Sequence, residues 1–276
     1  MSLVLDSRQR AMLAEMGVRV WTPLPDARPE PEPVPTVGQE LVAEMVRAAA
    51  QPVAPRPSLP LDSALPGSVP AAPLPLAARP AGVSAMDWVA LREAVAACQA
   101  CKLCRGRTQT VFGVGDLQAD WLVVGEAPGE NEDLQGEPFV GQAGKLLDNM
   151  LKAIGLTRQQ KVYIANVLKC RPPGNRNPEP EEVAQCEPFL QRQVELLRPR
   201  IILAMGRFAV QSLLQTTEPI GKLRGRLHQY HGVPLVVTYH PAYLLRNLPD
   251  KAKAWADLCL AVNVLASATP KAESTG

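Results

Sequence analysis

The chain has 276 residues, 29 Lys/Arg against 27 Asp/Glu, and no apolar run of membrane-spanning length, so it reads as a soluble protein with no membrane role. Its N-terminus lacks the charged-then-apolar pattern of a secretory signal, which makes the expected location cytoplasmic. A net charge of +2 names no partner, and six cysteines in such a compartment argue against structural disulfides.

In chain order, residues 7–18 show helical spacing through Met12, Leu13 and Met16, a helix too short to be stable alone. Fifteen of the 28 prolines then fall between residues 21 and 80, in a Pro/Ala/Val/Leu tract with few aromatics. Such a tract buries too little surface to offset its ordering entropy and is expected to be a disordered or extended linker. The expected domain structure is therefore 1–84 as helix and linker, 85–268 as one folded domain, and 269–276 as a disordered tail. Residues 1–85 carry 7 Lys/Arg and 8 Asp/Glu, leaving a net +3 on the remainder, a weak pointer to a polyanion.

Ser84 and Asp87 resemble a capping box opening a helix over 88–97. The segment Cys98-Gln99-Ala100-Cys101-Lys102-Leu103-Cys104 follows. Residues 121–124 form an apolar strand that runs into the acidic, Gly/Pro-punctuated loop Gly125-Glu126-Ala127-Pro128-Gly129-Glu130-Asn131-Glu132-Asp133. After Pro138-Phe139-Val140-Gly141, a helix is expected over 145–154. A second strand spans 162–168, with Asn166 near its carboxyl end. A Pro-rich loop, 170–180, leads to a helix over 181–197 with a break expected near Pro188. A third strand (200–204) turns at Gly206 into a helix over 208–214. Residues 221–231 are irregular or a short hairpin. The fourth strand, 235–238, precedes His240-Pro241, and a last helix spans 251–265. Strands alternating with helices predict a mostly parallel, four-stranded sheet with helices on both faces, and Glu126, Asn166, Gly206 and His240 on one rim.

Cys98 and Cys101 have metal-site spacing, and Cys170 and Cys186 are available to complete a set. Spacing permits Zn²⁺ or an iron–sulfur cluster and leaves Cys104 undecided, whereas Cys259 reads as a buried thiol. Of three histidines, His240 stands out at a strand end before proline, suited to stabilising a developing anion. Phe139 suits either core packing or ring stacking. Two basic clusters, Lys169/Arg171/Arg176 and Lys222/Arg224/Arg226, suggest a phosphate-binding face.

Taken together, the motifs Gly125-Glu126-Ala127-Pro128-Gly129 with Glu132-Asp133, Pro138-Phe139-Val140-Gly141, Asn166-Val167-Leu168-Lys169-Cys170-Arg171-Pro172-Pro173 and His240-Pro241-Ala242-Tyr243-Leu244-Leu245-Arg246 resemble the family 4 uracil-DNA glycosylases, the iron–sulfur members of their superfamily. The resemblance covers the chain from about residue 97 to the last helix. It implies a three-layer α/β/α fold and a monofunctional enzyme that flips uracil out of DNA and hydrolyses its N-glycosidic bond, releasing free uracil. It further implies a 4Fe-4S cluster on Cys98, Cys101, Cys170 and Cys186, base pairing by Asn166, stacking on Phe139, and anion stabilisation by His240. Glu126, Ala127, Phe139, Asn166 and His240 would form the uracil pocket, and Arg171, Arg176, Arg224, Arg226, Leu245 and Arg246 would contact DNA. Ala127 stands where the best-known uracil glycosylases carry Asp, so water orientation is expected to fall to Glu132, with Glu126 and Asp133 as alternatives.

Covalently trapping relatives carry a His in the loop after Asn166, and this chain has none there, so turnover is expected. The rival readings are a non-catalytic or cross-linking uracil-DNA binding protein, an iron–sulfur redox protein, and a module recruited by a protein partner through the N-terminal segment. A monomer is the default.

Overall fold

The computed structural model describes residues 78–267 together with Met12 and Glu15. The helix expected over 7–18, the Pro-rich tract and the tail lie outside the described residues, except that Met12 and Glu15 are helical.

The order of elements is α1 (Trp88–Ala96), β1 (Val114–Gly115), β2 (Trp121–Gly125), α2 (Glu130–Gln135), α3 (Gln142–Ala153), β3 (Val162–Asn166), α4 (Pro180–Leu197), β4 (Ile201–Met205), α5 (Arg207–Leu214), α6 (Ile220–Leu223), β5 (Leu227–Tyr230), β6 (Val233–Thr238), α7 (Pro241–Leu244) and α8 (Lys251–Ser267). The strands make one six-stranded sheet in the order β1-β3-β2-β4-β6-β5. Its four inner strands are parallel, and both edge strands pair antiparallel.

The sheet therefore corrects the expectation of four mostly parallel strands. β1 is two residues long, too short for any period to show. It fits against β3 because Gly115 (φ +133°) has no Cβ; one built there would stand 2.2 Å from the Val162 carbonyl oxygen. β5 is polar and half-exposed, and it joins β6 through His231 (φ 47°) and Gly232 (φ 80°), a two-residue turn with positive φ at both positions.

The inner strands are apolar because both faces are covered. Trp121, Val123, Ile164, Leu203 and Val236 pack on one face against Leu147, Met150 and Leu151 of α3 and Leu258 of α8. Their alternates Leu122, Val124, Ala165, Ile202 and Val237 pack on the other against Leu190 and Val194 of α4 and Val210 of α5. This alternation makes three layers, helix–sheet–helix.

Two local expectations also change. Ser84 lies in a 3-10 turn, Val83–Ala85, and the cap of α1 is Asp87, whose Oδ1 accepts the Ala90 N–H at 2.8 Å. α4 runs through Pro188 without a break. The missing N–H is one hydrogen bond, offset by burial of Phe189, Leu190, Val194 and Leu197.

Candidate active site

All four parallel strands end at the same edge of the sheet, and a cleft of about 870 Å³ opens there. Glu126, Ala127, Glu132, Phe139, Asn166 and His240 all line it, as do Arg176 and Arg246. Arg171, Arg224, Arg226 and Leu245 lie outside its lining.

Asn166 closes β3 and is 2% exposed. Its side chain occupies the space a side chain on Gly125 would need: a Cβ there would lie 2.4 Å from Asn166 Oδ1 and 2.7 Å from Phe139 Cζ. Beyond the strands, Val167 N–H donates to Gly125 O and Leu168 N–H to Glu126 O, so the two loops leave the sheet laced together.

His240 is the N-cap of α7, and its Nδ1 accepts the Ala242 N–H at 3.1 Å. That bond assigns the remaining ring proton to Nε2, leaving Nε2–H as a donor. Burial pulls the imidazole pKa down to about 4, with Glu132 opposing the shift and Arg246 adding to it, so the ring is neutral near pH 7. Phe139 stacks against this ring, with centroids 5.3 Å apart and planes at 26°. Gly206 (φ +90°) lets the β4 end come close, since a Cβ there would be 3.0 Å from His240 Cβ.

Phe139 itself has φ 58°, a left-handed conformation that costs a non-glycine residue about 1 kcal/mol or more. Gly144 makes room for it, because a Cβ at Gly144 would fall 1.7 Å from the Phe139 carbonyl oxygen.

The carboxylates of the acidic loop prove to be differently employed. Glu132 Oε2 accepts the Gly129 N–H at 3.1 Å, and Oε1 accepts those of Val140 (3.0 Å) and Gly141 (3.4 Å). Asp133 is buried and accepts the Thr108 N–H on both oxygens, at 3.0 and 2.9 Å. Glu126 is free of such bonds. Burial raises its carboxyl pKa to about 7, with the Arg207 guanidinium opposing. Arg207, at the start of α5, lines the cleft and is absent from the sequence-based site. Its signal was its place directly after a strand-end glycine, where a parallel sheet presents its loops.

Three basic residues are committed to partners within the protein: Arg176, a third exposed, grips the buried Glu182 through both Nη groups, and two others are withdrawn further. Lys169 is 1% exposed and donates to Asn166 O (2.8 Å) and Gln193 Oε1 (2.6 Å). Arg224 holds the buried Asp257 at 2.8 Å, donates to Lys253 O, and lies 5.2 Å from the Tyr239 ring centroid, beside His240. We therefore expect Arg224→Met to lower stability by roughly 3 kcal/mol, since it strands a buried carboxylate. Urea unfolding would measure that loss, and the salt dependence of DNA binding should keep its slope.

The model for the uracil DNA glycosylase superfamily matches residues 112–259, more than half of the chain. A type-4 uracil-DNA glycosylase of Archaeoglobus fulgidus is 46% identical over 159 residues, covering 55% of this chain and 79% of that protein. One from Thermotoga maritima is 46% identical over 163 residues, covering 58% and 84%. The chain belongs to the type-4 uracil-DNA glycosylases. A type-5 uracil-DNA glycosylase of Pyrobaculum aerophilum is more distant, 34% identical over 152 residues, with 48% of this chain and 66% of that protein covered.

In this type-4 uracil-DNA glycosylase a second, smaller pocket is lined by Cys98, Cys101, Cys104, Cys170 and Cys186, of which only Cys170 is fully buried. Arg107 Nη1 donates to Cys170 Sγ at 3.1 Å, and the Lys169 N–H to Cys186 Sγ at 3.3 Å. Among the described residues, no three His, Cys, Asp or Glu side chains are placed to share one metal ion. Cys259 lies apart from this pocket, on α8.

Proposed function

We propose that the chain excises uracil from DNA as a monofunctional glycosylase, turning over and leaving an abasic site. The observation that carries this is His240: a neutral imidazole, fixed through Nδ1 and with Nε2–H left to donate, lines a cleft that Asn166 lines too.

A uracil inside a duplex is out of reach and must be flipped, at a cost of a few kcal/mol. Once in the cleft, its face stacks on Phe139, and its 4-oxo and N3–H groups pair with the Asn166 amide. That pairing separates uracil from cytosine. As the glycosidic bond breaks, negative charge grows on the uracil 2-oxygen and Nε2–H of His240 donates to it. Water completes the hydrolysis. Glu132 spends three of its four acceptor positions on backbone N–H groups, whereas Glu126 spends none, so the water-orienting role falls to Glu126, whose carboxylate would also stabilise the cationic sugar. Arg246 and Arg207 meet phosphates at the cleft mouth, with Arg171, Arg176, Arg226 and Leu245 flanking the path of the strand. Arg224 leaves the DNA-contacting set, and Lys169 leaves the suggested phosphate-binding face.

The four thiols Cys98, Cys101, Cys170 and Cys186 fit a 4Fe-4S cluster. They line one pocket, and two of them accept N–H bonds of the kind that stabilise a thiolate. Such a cluster supplies a cross-link, tying the segment after α1 to the loop after β3 and to α4. Residues 85–268 are the catalytic domain in this reading, and 1–84 serve a protein partner or nothing. The expected state is a monomer in the cytoplasm.

Incubation with labelled uracil-containing DNA, followed by alkali, tests the activity. Scission at uracil and not at thymine is the expected result; no scission by protein with full iron content would overturn it. A denaturation-resistant protein–DNA adduct would instead favour a trapping protein.

The pH profile tests Glu126. Its carboxylate is the working form, so kcat/KM should rise with pH through about 7 and then level, and Glu126→Gln should flatten that limb. His240, held at about 4, should add no inflection near neutrality. The effect of Glu126 on stability has the opposite sign. The folded state holds this proton more tightly than the unfolded chain, so its stabilising contribution is full below the ordinary carboxylate pKa and is lost as pH rises through about 7.

A further inference from the structure

We propose that Arg158 is a positioning residue for uracil recognition, holding Phe139 as a stacking platform through two backbone carbonyls and touching no substrate itself. The proposal rests on the reading that Phe139 stacks on the flipped base.

Arg158 lies in the turn after α3, far in sequence from any motif of the cleft. Its Nη1 donates to Pro138 O at 2.9 Å and its Nη2 to Phe139 O at 2.8 Å. The third side of the guanidinium is held by Asp148, whose Oδ1 accepts from Nε at 2.8 Å. One fork thus grips the two consecutive carbonyls that flank the strained φ of Phe139. The same loop is gripped from the other side by Glu132, which accepts the N–H groups of the next two residues, Val140 and Gly141.

A planar cation draws the carbonyls one way and a carboxylate draws the amides the other. Between them they fix the peptide planes on both sides of Phe139, and with them the direction of its ring. Without the fork, the left-handed conformation is left to the close fit of the Phe139 carbonyl over Gly144. Phe139 would then relax toward ordinary φ and turn its ring away from His240. Asp148 is 50% exposed along its side chain and can be substituted at the surface, while Arg158, 13% exposed, is replaced by Met to keep its apolar stem.

Three variants decide the matter: Arg158→Met, Phe139→Ala and the double substitution. Each is assayed for inhibition by free uracil and for single-turnover cleavage of uracil-containing DNA. We expect Arg158→Met to weaken uracil inhibition about tenfold, within the range a lost stack gives. Arg158→Lys, which keeps one carbonyl bond, should fall between. In the Phe139→Ala background, Arg158→Met should add nothing, because its effect passes through the ring that is gone. A residue that merely stabilised the fold would give effects that multiply.

If Phe139→Ala is tenfold impaired while Arg158→Met binds uracil like the parent, the Arg158 proposal fails alone. Multiplying effects in the double variant also refute it. If Phe139→Ala itself is unimpaired, the stacking reading falls and takes the proposal with it. Should Arg158→Met not fold, Asp148→Asn replaces it: it loosens the guanidinium, and its smaller effect must likewise vanish without Phe139.

Discussion

His240→Ala is expected to slow single-turnover excision of uracil by roughly 10²–10³-fold, the loss found when one preorganised donor to a developing oxyanion is removed. The size follows from how little the donor must reorganise. Its Nδ1 is occupied by the Ala242 N–H, its ring is stacked on Phe139, and its neutral state is secured by burial. Ground-state uracil carries little charge on its 2-oxygen, so inhibition by free uracil should change much less than the rate. Rapid-quench cleavage beside a uracil competition assay separates the two. Equal losses in both would refute the anion-stabilising role. His240→Asn, which retains an N–H donor, should recover part of the rate.

Asn166→Asp is expected to lower cleavage of uracil by at least about 10²-fold, since a buried polar mismatch costs far more than a missing contact. In the proposed pairing the amide donates to the 4-oxo group and accepts from N3–H, whereas a carboxylate can only accept. It therefore faces the 4-oxo oxygen as two acceptors without a proton between them. Asn166 is 2% exposed, so water cannot step in to relieve the clash. Competition between uracil- and cytosine-containing DNA gives the measurement, and an undiminished preference for uracil would remove Asn166 from the recognition role.

The inner sheet was legible because residues such as Val123 and Ile202 are buried on both faces and must be apolar whatever their neighbours. The strand-end residues followed from the same rule, since a parallel sheet exposes its loops at one edge. β1 and β5 escaped because edge strands need no continuous apolar run; Leu227 remains 51% exposed. Side-chain employment was less legible than position. Glu132 looked available in an acidic loop, yet Val140 and Gly141 reach it only because the chain doubles back. Arg224 sat in a basic cluster, yet Asp257, 33 residues on, claims it from α8. Arg158 had no local signature, because its acceptors are carbonyls that any residue could supply.

The register of the sheet carries one more consequence. Asn166 ends β3 and His240 follows β6 by two residues, and these are the first and last of four adjacent parallel strands, in the order β3-β2-β4-β6. Their backbones are thus about 14 Å apart, three interstrand steps of roughly 4.8 Å each. In the proposed reading the pocket works as a caliper, with the sheet as its frame and two side chains as its jaws. Its width is set mainly by the strand spacing, so jaw length is the direct way to reset it. Asn166→Gln, one methylene longer, should narrow the gap and exclude even the natural base.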